Sequence, residues 1–157
     1  MEKDIFFMKG KYSFDENIYP TSWRFNSSDC ILSPEEKSKI VFFNKIDSER
    51  IWDSIFPFYI LMDIQPSQCE IINKLKLDFN NPKESAAFFH RNLDGFPEVF
   101  FFWGRRSAAF ITSSEIIKNA WDDFFYPNDE SSIIYIPNTK IIIFSYEENF
   151  FHAKMIK

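Results

Sequence analysis

Between Glu98 and Tyr146 the chain alternates short apolar runs with turn and cap residues, in an order that admits few folds. Val99-Phe100-Phe101-Phe102-Trp103 and Ala108-Ala109-Phe110-Ile111 are separated by the polar tetrapeptide Gly104-Arg105-Arg106-Ser107. Aromatic and β-branched runs of this length around a glycine-containing break predict a β-hairpin. Thr112-Ser113-Ser114-Glu115 then has the spacing of a capping box, in which the Thr112 hydroxyl accepts from the Glu115 amide and the Glu115 carboxylate reaches back. Behind it Ile116, Ile117, Ala120, Trp121 and Phe124 recur at helical spacing. Ile133 to Ile136, a Pro137-Asn138 turn and Ile141 to Phe144 predict a second hairpin. This hairpin, helix, hairpin unit specifies a fold and carries no chemistry.

The preceding 97 residues predict mainly helix. Residues 1–19 read as a strand or extended arm that ends at Tyr19-Pro20, and Thr21 to Asn26 as a short strand with Trp23 and Phe25 on one face. Ser33, Pro34 and Glu36 form a capping box with proline at the first helical position, and the helix is expected to run to about Phe43, burying Ile40, Val41 and Phe43. Asp47-Ser48 is expected to cap a helix carrying Ile51, Trp52, Ile55 and Phe56, stopped by Pro57. Around Ser67 to Phe79 two patterns compete: Ser67-Gln68-Cys69-Glu70 resembles a helix start, whereas Leu75-Lys76-Leu77-Asp78-Phe79 alternates like a strand. Asn81-Pro82-Lys83-Glu84 opens a helix to about Asn92, and Asp94-Gly95-Phe96-Pro97 turns the chain into the first hairpin. With 157 residues, no internal repeat and no long linker, the expectation is a single α+β domain. Its C-terminal antiparallel sheet, two hairpins flanking a helix, packs against N-terminal helices.

Composition narrows function by exclusion. The formal net charge of −5 lacks the basic footprint that nucleic-acid binding needs, and it disfavours docking on an anionic membrane. A basic protein partner fits such a charge, although it also serves solubility alone. The 21 phenylalanines stand among abundant Ile, Asn and Lys, as AT-rich coding would produce, so their number alone does not indicate a binding surface. Cys30 and Cys69 lie far apart without a CxxC pattern and are expected as reduced, buried thiols. The N-terminus has four consecutive apolar residues, short of a signal-peptide core or a membrane span, so a soluble cytoplasmic protein is expected.

No catalytic set, metal-ligand set or cofactor motif emerges. His90 and His152 lack partners at ligand spacing. The three glycines cannot build a phosphate-binding loop, and no serine sits in a GxSxG turn. Arg105 and Arg106 are either solvated turn residues or a clamp for a phosphate or carboxylate. Acidic residues gather more densely: Asp122, Asp123, Asp129 and Glu130 flank the exit of the predicted helix, and Glu147 and Glu148 follow the second hairpin next to Tyr146. Carboxylates interleaved with aromatic rings suit a protein interface whose other side is basic. The alternative is that the rings are core and the acids a solvated edge. Asp122, Asp129, Glu130, Tyr146, Glu147 and Glu148 are the candidate contact residues.

Several motifs carry a resemblance. Trp23-Arg24-Phe25, Leu32-Ser33-Pro34-Glu35, Ile40 and Arg50-Ile51-Trp52 are followed by the aromatic run Val99 to Trp103, Thr112, Trp121-Asp122-Asp123-Phe124 and a closing apolar hairpin with Glu148-Asn149-Phe150. This order resembles a small bacterial domain family of unknown function and is similar to immunity proteins of toxin systems, including contact-dependent growth inhibition. The resemblance implies a non-catalytic cytoplasmic protein that binds and neutralises a cognate toxin domain, in many such systems a nuclease with a positive groove. It carries no catalytic residue over to this chain. A non-catalytic adaptor of another bacterial system, or an enzyme using His90 or His152 with a carboxylate, are the competing expectations.

Overall fold

The computed structural model describes residues 13–59, 68–76, 78–126 and 132–156. Seven antiparallel strands form one sheet: β1 (Ile40–Phe42), β2 (Cys69–Lys76), β3 (Val99–Gly104), β4 (Ser107–Ile111), β5 (Ile133–Tyr135), β6 (Ile141–Tyr146) and β7 (Asn149–Met155). Their spatial order is β1-β4-β3-β5-β6-β7-β2. The helices are α1 (Trp23–Asn26), which follows a 3-10 turn at Pro20–Ser22, then α2 (Pro34–Lys37), α3 (Lys45–Ile55), α4 (Pro82–Leu93), α5 (Glu115–Asn119) and α6 (Trp121–Phe124). The fold is α+β.

Both faces of the sheet are covered, which explains the unbroken apolar run of β3. Successive strand residues point to opposite faces. Val99, Phe101 and Trp103 enter one cluster with Phe25, Phe88, Phe89, Trp121, Phe124 and Phe150, beneath α1, α4, α5 and α6. Phe102 and Ala108 enter a second cluster with Trp52, Phe56 and Phe58, beneath α3. In the second cluster Trp52 is fully buried, with Phe56, Phe58 and Phe102 around its ring, and its indole N–H donates to the Phe58 carbonyl at 2.6 Å. Burial of a ring this size with its polar atom bonded contributes on the order of 3–5 kcal/mol.

The two predicted hairpins form, as do α4, the Ser33–Glu36 capping box and the turn before β3. Pro137 and Asn138 turn the β5–β6 hairpin, with Asn138 at φ 64° and the Thr139 amide donating to the Ile136 carbonyl. Proline followed by a left-handed asparagine is the type II arrangement.

Other expectations are corrected. Thr21 to Asn26 is helical, so two residues apart means roughly 200° around the axis; Phe25 is fully buried while Trp23 stays 44% exposed. The helix after Ser33 stops at Lys37, because Ile40, Val41 and Phe42 pair with Ile111, Phe110 and Ala109 as an edge strand. Val41 is exposed, and Phe43 packs against the second cluster. Asn44, rather than Asp47, caps α3 by accepting from the Asp47 amide, which frees Ser48 to accept from the Ala108 amide inside the α3–β4 contact. Asn81 makes no side-chain cap on α4. Cys69 to Lys76 is a strand on β7 with a bulge at Ile71–Asn73, so the helical reading there fails. The first half of the chain therefore supplies both edge strands as well as helices.

Thr112 does not close a capping box. Its hydroxyl donates to the Lys39 carbonyl across the sheet edge, Ser114 occupies the N-cap without a side-chain bond, and Glu115 pairs with Lys118. The expected single helix breaks at Ala120 into α5 and α6. Trp121 does pack its helix against the sheet: it is 3% exposed, against Phe79, Phe89 and Phe150. Cys30 and Cys69 are free, half-buried and attached to opposite apolar clusters, hence on opposite sides of the sheet. Burial pushes both thiols up from their ordinary range. No described helix is long and apolar enough to cross a membrane.

Candidate protein-binding surface

Strand direction collects two hairpin turns at one end of the sheet. β3 ends and β4 begins there, as do the end of β6 and the start of β7, so Arg105-Arg106 and Glu147-Glu148 share that end. Lys76 lies beside them, opposite Asn149. Arg105 is committed within the molecule. Its Nε and Nη2 donate to the two carboxylate oxygens of Asp53 at 2.8 and 2.7 Å, Nη1 donates to Glu49 at 2.9 Å, and its guanidinium lies 4.4 Å from the centre of the Tyr59 ring. The Arg105 hydrogen bonds hold the Asp53 carboxyl below the usual aspartate range. Arg106 sits 3.6 Å from Glu49. The basic turn is thus a carboxylate clamp, and the carboxylates belong to α3.

Glu147 and Glu148 are different. Both have left-handed backbones, φ 48° and 63°, between the paired residues Tyr146 and Asn149. That is a two-residue type I′ hairpin, a turn whose favoured sequence is Asn-Gly because side chains with a Cβ are strained there. Both glutamates are exposed, and among the described residues their carboxylates make no ion pair. Asp122 is exposed as well, on α6, whose Trp121 rests edge-on against Phe150, two residues beyond Glu148. Phe125, three residues past Asp122, also meets Phe150 edge to face at 5.0 Å. The fold therefore brings Asp122 to the same end as the glutamate turn.

Tyr146 is only half-buried and packs into the second cluster, so it lies on the sheet face opposite α6. Asp129 and Glu130 lie outside the described residues. Asp123, the neighbour of Asp122, is a structural residue: its Oδ2 accepts from the Ile31 amide at 3.1 Å, and burial raises its carboxyl pKa. Adjacent acids on one short helix thus split into a buried staple and an exposed charge.

Sequence reasoning missed Trp23 and Tyr126. Their rings meet edge to face at 5.2 Å, and the Arg24 guanidinium lies 4.3 Å from the centre of the Tyr126 ring while donating to the Phe124 carbonyl. Ile31, near Asp123, is 69% exposed. Trp23 is exposed and Tyr126 half-buried over a buried Arg24; tryptophan and tyrosine are residue types enriched at interface hot spots. The signal for Trp23 was Pro20, which favours a helical start and would have set Trp23 and Phe25 on opposite sides.

No group of three potential metal ligands occurs among the described residues. His152 is half-buried, its Nδ1 3.0 Å from the Asn73 amide nitrogen, and burial followed by the charge of Arg91 lowers its pKa. His90 is exposed on α4. Neither histidine lines the cleft between residues 93–97 and 113–118. No family model, no curated protein and no solved structure matches the chain.

Proposed function

We propose that this chain is an immunity protein that binds and neutralises a cognate bacterial toxin domain, with Asp122, Glu147 and Glu148 as its acidic contacts and the Trp23–Tyr126 pair as an aromatic contact. The observation that carries the reading is the Glu147-Glu148 turn. Two like charges are held side by side in a strained conformation, exposed, and among the described residues without an ion pair. Strain of this kind costs on the order of 1–2 kcal/mol per residue, and it concentrates at sites kept for function.

The chemistry follows from charge and geometry. A basic toxin surface, such as the positive groove of a nuclease, would be steered to exposed carboxylates, accelerating encounter at low ionic strength. The protein then needs only to cover that groove, so no catalytic group is required of it. The resemblance to immunity proteins of contact-dependent growth inhibition, the net charge of −5 and the Trp23–Tyr126 contact support this reading.

The direct trial is co-expression with the toxin domain encoded immediately upstream. Cells are expected to survive with this chain and die without it. Equal killing in both cases would remove the immunity reading.

A further inference from the structure

The opposite end of the sheet, where β3 begins and β4 ends, holds a cleft of about 210 Å³ between residues 93–97 and 113–118. Its wall contains a charge in an unusual setting. Lys118 is 6% exposed, and among the described residues its ammonium has one partner, Glu115 Oε2 at 2.9 Å. An ammonium carries three N–H donors, and buried donors left unmet are costly. Ser114, 2% exposed, also lines the cleft; its hydroxyl caps no amide and has no hydrogen bond among the described residues. Its backbone N–H is already used, donating to the Pro97 carbonyl at 2.8 Å.

The cleft is also lined by Asp94 and by Glu115, the partner of Lys118, both exposed, with Phe96 as an apolar wall. Asp94, Glu115 and Lys118 together sum to −1, so a simple anion would add repulsion and a simple cation would meet the buried ammonium. A molecule carrying both charges on neighbouring atoms satisfies both sides without changing the sum. The volume equals that of about seven waters at roughly 30 Å³ each, which suits a molecule of a few non-hydrogen atoms.

We propose that this cleft binds a small α-amino acid. The carboxylate sits on Lys118 Nζ and Ser114 Oγ, the ammonium lies between Asp94 and Glu115, and the side chain rests on Phe96. This site is separate from the toxin-facing end and stands independently of the immunity reading.

Thermal unfolding in the presence of L-alanine, L-alaninamide or N-acetyl-L-alanine, each at about 20 mM, separates the charge requirements. A ligand that binds only the folded state raises Tm by mass action, here by roughly 2–6 °C. L-alanine is expected to do so, and the two singly charged analogues are not. Lys118→Met keeps the volume and leaves only the exposed Glu115 without its partner, and Ser114→Ala is a second, milder variant. Both are expected to lose the shift, and if the first fails to fold the second decides. The proposal is overturned by no shift with L-alanine, by an equal shift with either analogue, or by a shift that survives in Ser114→Ala and in folded Lys118→Met.

Discussion

Two turns at the same end of the sheet carry charge in opposite ways. At Arg105-Arg106 the arginines are spent inside the molecule, with Arg105 bound bidentately to Asp53 and singly to Glu49. At Glu147-Glu148 the carboxylates have no ion pair among the described residues, and the backbone is left-handed at both positions. The first turn ties a helix to a sheet. The second leaves its charge exposed. Proximity to one end of a sheet therefore does not decide what a charged turn does; the partners of its side chains do.

The largest expected effect tests the platform beneath the glutamate turn. Trp121→Ala removes the ring that seats α6 against Phe150, and should destabilise the fold by about 3–5 kcal/mol in urea unfolding. A loss under about 1 kcal/mol would place the indole at the surface and detach Asp122 from the turn's neighbourhood.

The next sharpens the contrast in backbone strain. Replacing Glu147-Glu148 by Asn-Gly gives the turn its preferred residues, so stability should rise by about 1–2 kcal/mol while toxin binding falls. An unchanged or lower stability would mean that the left-handed backbone costs nothing there.

Smaller effects belong to the arginine turn and to His152. Arg105→Ala should lower the urea midpoint slightly, less so at high salt, and leave toxin binding intact. Loss of binding would contradict the division between the turns. Because the folded Asp53 pKa is depressed, the stability the clamp supplies is fully present above the ordinary aspartate value and is lost as pH falls through the folded one. His152 also has a depressed pKa, so the unfolded chain takes up its proton first and stability should fall as pH drops below the ordinary histidine range. In His152→Gln that part of the pH dependence should disappear. Urea midpoints measured between pH 7.5 and 5 would check it.

The elements legible in the sequence were those whose signals are local. Val99–Ile111 and Ile133–Phe144 announce hairpins through apolar runs broken by turn residues, and Ser33-Pro34-Glu36 announces a helix start. The edge strands were not legible because their reason to exist lies elsewhere in the chain. Ile40–Phe42 is three residues long, directly behind a helix start, and becomes a strand only through its pairing with Phe110 and its neighbours. Cys69–Lys76 has its alternation broken by the bulge at Ile71–Asn73 and pairs with residues far along the chain on β7. At the candidate surface, the acids Asp122, Glu147 and Glu148 were legible as composition. The left-handed backbone of the turn was not, since Glu-Glu is a poor type I′ sequence. Nor was the Trp23–Tyr126 contact, which joins residues from opposite ends of the chain.

The most direct measurement of the proposed function is calorimetric titration of whatever toxin domain a neighbouring gene encodes with the wild-type chain and with Glu147→Lys/Glu148→Lys, at low and moderate salt. Desolvated interface charges of this kind should make the reversal cost several kcal/mol, about a hundredfold or more in Kd, with wild-type binding weakening as salt rises. A folded double variant that binds within a few-fold of wild type, with no salt dependence in either, would contradict the assignment of this turn as the contact surface.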